Sequence, residues 1–75
     1  MARVKIKLLG HLSELNGFKT KVVSVKEPIR VKELVKREGL RLTDYFVLVN
    51  GVKSTLNAVI RSDSLVVFAP VIEGG

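Results

Sequence analysis

Between residues 3 and 8 the chain alternates strictly, with Val4, Ile6 and Leu8 on one side and Arg3, Lys5 and Lys7 on the other. A period of two is that of a strand, here half-buried with a basic outer face. In Gly10-His11-Leu12-Ser13-Glu14-Leu15-Asn16-Gly17, two leucines stand three apart between glycines. That spacing predicts a short helical turn inside a hairpin connection. Lys19–Val25 is rich in valine and threonine and reads as a second strand paired with the first. Glu27-Pro28 breaks the pattern. Val31, Leu34, Val35 and Glu38 then follow i, i+3, i+4, i+7, with Lys32, Glu33, Lys36 and Arg37 opposite, which predicts an amphipathic helix over Val31–Glu38. Gly39 suits the left-handed position past its end, and Leu40 can fold back on the last turn. A helix this short is not stable alone, so its apolar stripe must pack on a sheet.

Tyr45–Val49 is a third strand, apolar on both faces, and Asn50-Gly51 is a strong hairpin signal leading to a short return at Val52-Lys53. Ser54–Ser64 is irregular and polar, with Leu56, Val59 and Ile60 as expected anchors. Leu65–Ala69 is the last strand, again apolar on both faces, and Pro70 ends it or marks an edge. Strand, strand, helix, strand, short strand, strand describes an α+β roll: a mixed sheet of four to five strands with one main helix across one face. The first and last strands are most simply central, adjacent and parallel. The expected organisation is one domain, with a body over residues 1–70 and a flexible tail over 71–75.

Composition narrows the function. Seventy-five residues suffice for one core and for few enzymes that must also build a substrate pocket. A hydrophobic share of 47% excludes a disordered chain. Cysteine is absent, which excludes disulfides, thiol catalysis and thiolate metal sites. No apolar run approaches the roughly 18 residues of a membrane span, and residues 1–8 lack the apolar stretch of a signal peptide. The expectation is a soluble, cytoplasmic protein. The net charge of +6 favours anionic partners.

Conventional catalytic groups are missing. His11 is the single histidine and reads as a surface residue; Glu14, Asp44 and Asp63 are isolated acids, and no metal site is expected. The glycines form neither a dinucleotide fingerprint nor a phosphate loop. Arg3, Lys5, Lys7, Lys19 and Lys21 form a basic ladder that could meet phosphate. A solvated outer sheet face is the simpler reading, because the aromatic interleaving of an RNA-binding sheet is absent there. The doubly apolar strands say more. One sheet face meets the helix, so either Phe46 and Leu48 or Tyr45, Val47 and Val49 lie on the other. The same holds for Val66 and Phe68 against Leu65, Val67 and Ala69. Either the loop Ser54–Ser64 covers this apolar face, or it is a partner surface with Phe68 and either Phe46 or Tyr45 as docking anchors.

The tail, Val71-Ile72-Glu73-Gly74-Gly75, places a carboxylate on two residues without Cβ, which allow close approach by another surface. Five residues reach at most about 16–18 Å, enough to enter a narrow channel in a partner while the body stays outside.

Taken together, Asp63-Ser64-Leu65-Val66-Val67-Phe68-Ala69-Pro70-Val71-Ile72-Glu73-Gly74-Gly75 resembles the ending of the MoaD/ThiS family of ubiquitin-like sulfur carriers. Ile6–Leu15 is similar to the family's first strand and short Leu-x-x-Leu helix, Val31–Val35 to its Val-x-x-Leu-hydrophobic helix, and Val49-Asn50-Gly51 to its hairpin. The resemblance runs in order over essentially the whole chain. It departs at Ser62-Asp63, where the family often has Gly-Asp, and at Ala69, where a second proline is common. The long Gly10–Phe18 connection leans toward the molybdopterin branch.

The resemblance implies a β-grasp carrier, not a catalyst, with no stably bound cofactor. A ubiquitin-activating-like adenylyltransferase would use ATP to adenylate Gly75, with Gly74, Glu73, Ile72 and Val71 threading its active site. A sulfur donor would convert the adenylate to a thiocarboxylate. A sulfur-acceptor enzyme, of the molybdopterin synthase large-subunit or thiazole synthase type, would then take the sulfur, or it would pass to a tRNA uridine. Two alternatives remain open: a ubiquitin-like modifier joined to lysines, and a basic RNA-binding module of the same shape. Neither a membrane nor nucleic acid is the expected partner.

Overall fold

The computed structural model describes residues 1–72. Among them the elements run β1 (Ala2–Leu8), α1 (His11–Asn16), β2 (Thr20–Val25), β3 (Ile29–Arg30), α2 (Val31–Glu38), β4 (Tyr45–Val49), β5 (Val52–Ser54), β6 (Val59–Ile60) and β7 (Ser64–Pro70). The main sheet has five strands in the order β2-β1-β7-β4-β5. β1 and β7 lie side by side near its middle and run parallel, with Ile6 opposite Val66 and Leu8 opposite Phe68; the other pairs are antiparallel. This is the mixed five-stranded roll that the strand pattern predicts.

The alternation in β1 does what its period requires. Ala2, Val4, Ile6 and Leu8 are buried while Arg3, Lys5 and Lys7 are exposed. The buried set meets Leu12 of α1, Val31 and Leu34 of α2, and Val47, Val66 and Phe68 of the sheet in one core. Gly39 ends α2 in the left-handed region at φ 62°, and the N–H of Leu40 returns to the carbonyl of Val35 at 3.0 Å. Those bonds satisfy carbonyls that the helix end leaves open. Glu38, placed on the apolar side by its spacing, sits at the boundary instead. Its carboxylate takes Lys21 Nζ at 3.0 Å.

The segment 54–64 holds more order than its polarity suggests. Ile29 pairs with Ile60, and Arg30 with Val59, in a small second sheet. The carbonyls of Ala58 and Leu56 accept the N–H groups of Val31 and Lys32 at 3.0 and 2.9 Å. The loop thus satisfies first-turn donors of α2 that no side chain caps. Leu56 and Ile60 are anchors as expected; Val59 points outward, and Ala58 packs against the core in its place. The segment therefore joins the helix side of the roll.

Candidate functional site

Strand register decides which side chains share the helix-free face. Paired residues point to the same side of a sheet. Phe46 pairs with Ala69 and Leu48 with Val67 across β4 and β7, while Lys5 pairs with Leu65 and Lys7 with Val67 across β1 and β7. Leu48 also faces Lys53 on β5. Phe46, Leu48, Leu65, Val67 and Ala69 thus form an apolar stripe along the β4–β7 pair. Arg3, Lys5 and Lys7 flank it on one side and Lys53 on the other. Every charged residue at these strand positions is basic. Lys53 Nζ stands 5.9 Å from the Phe46 ring centroid, close enough for a cation–π contact.

Two expectations about this face change. Phe68 is not on it: its register with Leu8 and Val47 turns the ring into the core, where it is fully buried. Tyr45 lies on that same inner side, with its ring centroid 6.0 Å from that of Phe68. Phe46 is therefore the aromatic that the sheet presents outward. The basic ladder also divides. Lys21 pairs with Ile6 and so leans to the helix side, where it meets Glu38 and the Phe18 ring. Lys19 stands opposite Leu8, whose N–H donates to its carbonyl at 2.8 Å, and shares that side. Arg3, Lys5 and Lys7 alone remain on the outer face. In β2 a period of two puts Lys19 and Lys21 on the same face as Val23 and Val25, so the strand does not set its lysines against its valines and its own pattern does not say which face turns out.

At the end of β7 the stripe opens into a shallow groove of about 540 Å³, lined by Leu9, Gly10, Phe46, Ala69, Pro70 and Ile72. The chain leaves the body here. Val71 is half exposed and Ile72 86% exposed, but Val71 is fastened: its N–H donates to the carbonyl of Asp44 at 2.7 Å. Among the described residues this is the last backbone hydrogen bond along the chain. The expected roles of Glu73, Gly74 and Gly75 lie outside the described residues.

Of the isolated acids, Asp63 holds the frame. Asp63 Oδ1 accepts the N–H of Arg3 at 2.8 Å. His11 is exposed at the start of α1. Among the described residues no group of three His, Cys, Asp or Glu side chains could hold a metal ion, and no helix is long and apolar enough to cross a membrane. Asn16 carries a role that pattern reading missed. Its side chain accepts the N–H of Arg41 at 2.7 Å and donates to the Arg41 carbonyl at 2.9 Å, tying α1 to the segment before β4.

No family model matches the chain, and no curated protein does. Solved structures do. A Pyrococcus furiosus protein, provisionally assigned as molybdopterin converting factor subunit 1, superposes with a TM-score of 0.80 at 18% identity, covering 96% of this chain and 100% of its own. Small archaeal modifier protein 1 of Haloferax volcanii gives 0.79 at 20% identity, with 96% and 100% covered. Urm1 of Sulfolobus solfataricus gives 0.60 at 20% identity, with 89% and 99% covered. At these identities the likeness is one of fold, and that fold is the β-grasp.

Proposed function

We propose that this β-grasp chain is a sulfur carrier whose reactive group is the carboxylate of Gly75. One observation carries the reading. β7, in the middle of the sheet, runs out of the body beside an apolar stripe with basic flanks, and the sequence continues from it as Val71-Ile72-Glu73-Gly74-Gly75. A partner that docks on the stripe would receive the tail from a fixed point.

The chemistry follows from the weakness of a carboxylate as an electrophile; it is ionised at neutral pH. An activating enzyme of the ubiquitin-activating type would join it to the AMP portion of ATP, releasing pyrophosphate. Hydrosulfide would attack the acyl carbon and displace AMP, leaving a thiocarboxylate and releasing a proton with no change of oxidation state. An acceptor enzyme would then bind the same face and take the sulfur into a precursor, of the molybdopterin, thiazole or tRNA uridine kind. The carrier supplies docking, reach and the acyl group, and its partners supply the catalytic residues. A cytoplasmic location suits this work.

A second reading shares the adenylate and ends on a lysine amine instead of sulfur. The fold match to small archaeal modifier protein 1 favours keeping it. Incubation with an activating enzyme, ATP and a sulfide source, followed by intact mass, tests the first. The expected product has one oxygen replaced by sulfur at Gly75. A chain that stays unmodified and supports no ATP–pyrophosphate exchange removes the carrier reading, and lysine-linked adducts without thiocarboxylate select the second.

A further inference from the structure

The last residues of β7 are held from both sides. On the β4 side, Tyr45 pairs with Pro70, and the bond from Val71 N–H to the Asp44 carbonyl adds one rung beyond the strand ends. That rung depends on an unusual backbone. Asp44 has φ 45°, in the left-handed region that aspartate tolerates and β-branched residues do not. On the β1 side, Leu9 N–H donates to the Phe68 carbonyl at 3.0 Å, and Gly10 then turns away at φ 57° and ψ −139°. A Cβ on Gly10 would lie 3.2 Å from Pro70 Cγ, so the chain passes Pro70 closer than any other residue could without displacement.

We infer that Asp44 and Gly10 are positioning residues that clamp the chain at Pro70-Val71 and so fix where, and in which direction, the threading segment begins. The functional part of this rests on the carrier reading above. The clamp shortens the free reach. Counted from the Val71 rung, residues 72–75 extend at most about 13–14 Å, against about 16–18 Å for a tail free from Pro70. A partner channel matched to this carrier has the shorter depth. It also gains from the clamp, because a carboxylate on a fixed base explores less space than one on a swivelling base.

Two measurements on the full chain test this. Amide hydrogen exchange reads the clamp directly: the Val71 amide should exchange far more slowly than that of Ile72, and equal rates would overturn the clamp whatever the protein does. ATP–pyrophosphate exchange by the activating enzyme reads its purpose. Asp44→Val forbids the left-handed carbonyl position, and Gly10→Ala both strains a backbone held at φ 57° and sets a Cβ 3.2 Å from Pro70 Cγ, so the Asp44 pair is the cleaner test. Each should lower kcat by up to about 100-fold, the scale of an ångström misplacement, with KM nearly unchanged because the docking stripe is untouched. Asp44→Gly keeps the left-handed backbone and should retain both Val71 protection and kcat. If Gly10→Ala does not fold, the Asp44 pair carries the test alone. Loss of Val71 protection in Asp44→Val with wild-type kcat would overturn the positioning role. If the wild-type chain supports no exchange at all, the carrier reading falls, and Val71 protection still decides the clamp.

Discussion

Asn50 and Leu65 bond to each other twice: the Asn50 N–H donates to the Leu65 carbonyl at 2.8 Å, and the Leu65 N–H donates to Asn50 Oδ1 at 2.9 Å. Asn50 also sits at φ 52° before Gly51 at φ 81°, the two left-handed residues that a tight hairpin of this kind requires. One side chain therefore serves the β4–β5 turn and the start of β7. It extends the β4–β7 ladder past the last strand residue of β4.

Asn50→Gly keeps the turn and loses the side-chain bonds, and should cost about 0.5–1.5 kcal/mol of stability. Asn50→Ala adds the strain of a left-handed alanine, a further 1–2 kcal/mol or so. Urea unfolding of both variants checks the order. Equal losses would mean that the turn carries no strain term.

Phe68 and Phe46 stand one strand-face apart and should separate cleanly. Phe68→Ala empties the centre of the core and should cost about 3–5 kcal/mol of stability. Phe46→Ala should cost less than half of that, and about 1–2 kcal/mol or more in affinity for the activating enzyme. Denaturation and titration calorimetry on the same two proteins give both numbers. If Phe46→Ala binds as wild type, the stripe is not the docking surface.

Charge reversal should likewise distinguish the two sides of the sheet. Lys5→Glu with Lys7→Glu should leave folding intact and slow association with a partner at low salt, the effect fading as salt rises. Lys21→Glu should leave association unchanged and lower stability by about 1 kcal/mol or more, since it removes the partner of a Glu38 carboxylate that is only 11% exposed and sets a second carboxylate beside it. Stopped-flow association across ionic strength reads the first, and an association rate indifferent to salt in the wild type would remove Lys5 and Lys7 from the docking step.

Removing Gly75 withdraws the carboxylate by up to about 3.6 Å, large against the tolerance of a reacting group. Pyrophosphate exchange should collapse while the melting temperature holds. Gly74→Val should fail as well, because a branched side chain would enter a channel shaped for bare backbone. Extension beyond Gly75 should also abolish exchange. Normal exchange by the Gly75 deletion would show that another group reacts.

Elements governed by local rules were legible along the chain. The strict alternation of Val4, Ile6 and Leu8 with Arg3, Lys5 and Lys7, the stripe of Val31 and Leu34, and the turn at Asn50-Gly51 each follow from a period or a backbone preference confined to a few residues. They determined an α+β roll and a chain that runs from its last strand into Gly74-Gly75. What pattern could not decide was which face of a strand apolar on both sides turns inward. Phe68 and Phe46 are equal by composition, and only pairing with Leu8, Val47 and Ala69 buries one and presents the other. The same holds for Lys21, which alternation alone cannot send toward Glu38, and for the bonds of Asp44 to Val71 and of Asn16 to Arg41. These contacts join residues far apart in sequence, so they exist only once the sheet has brought the strands to register.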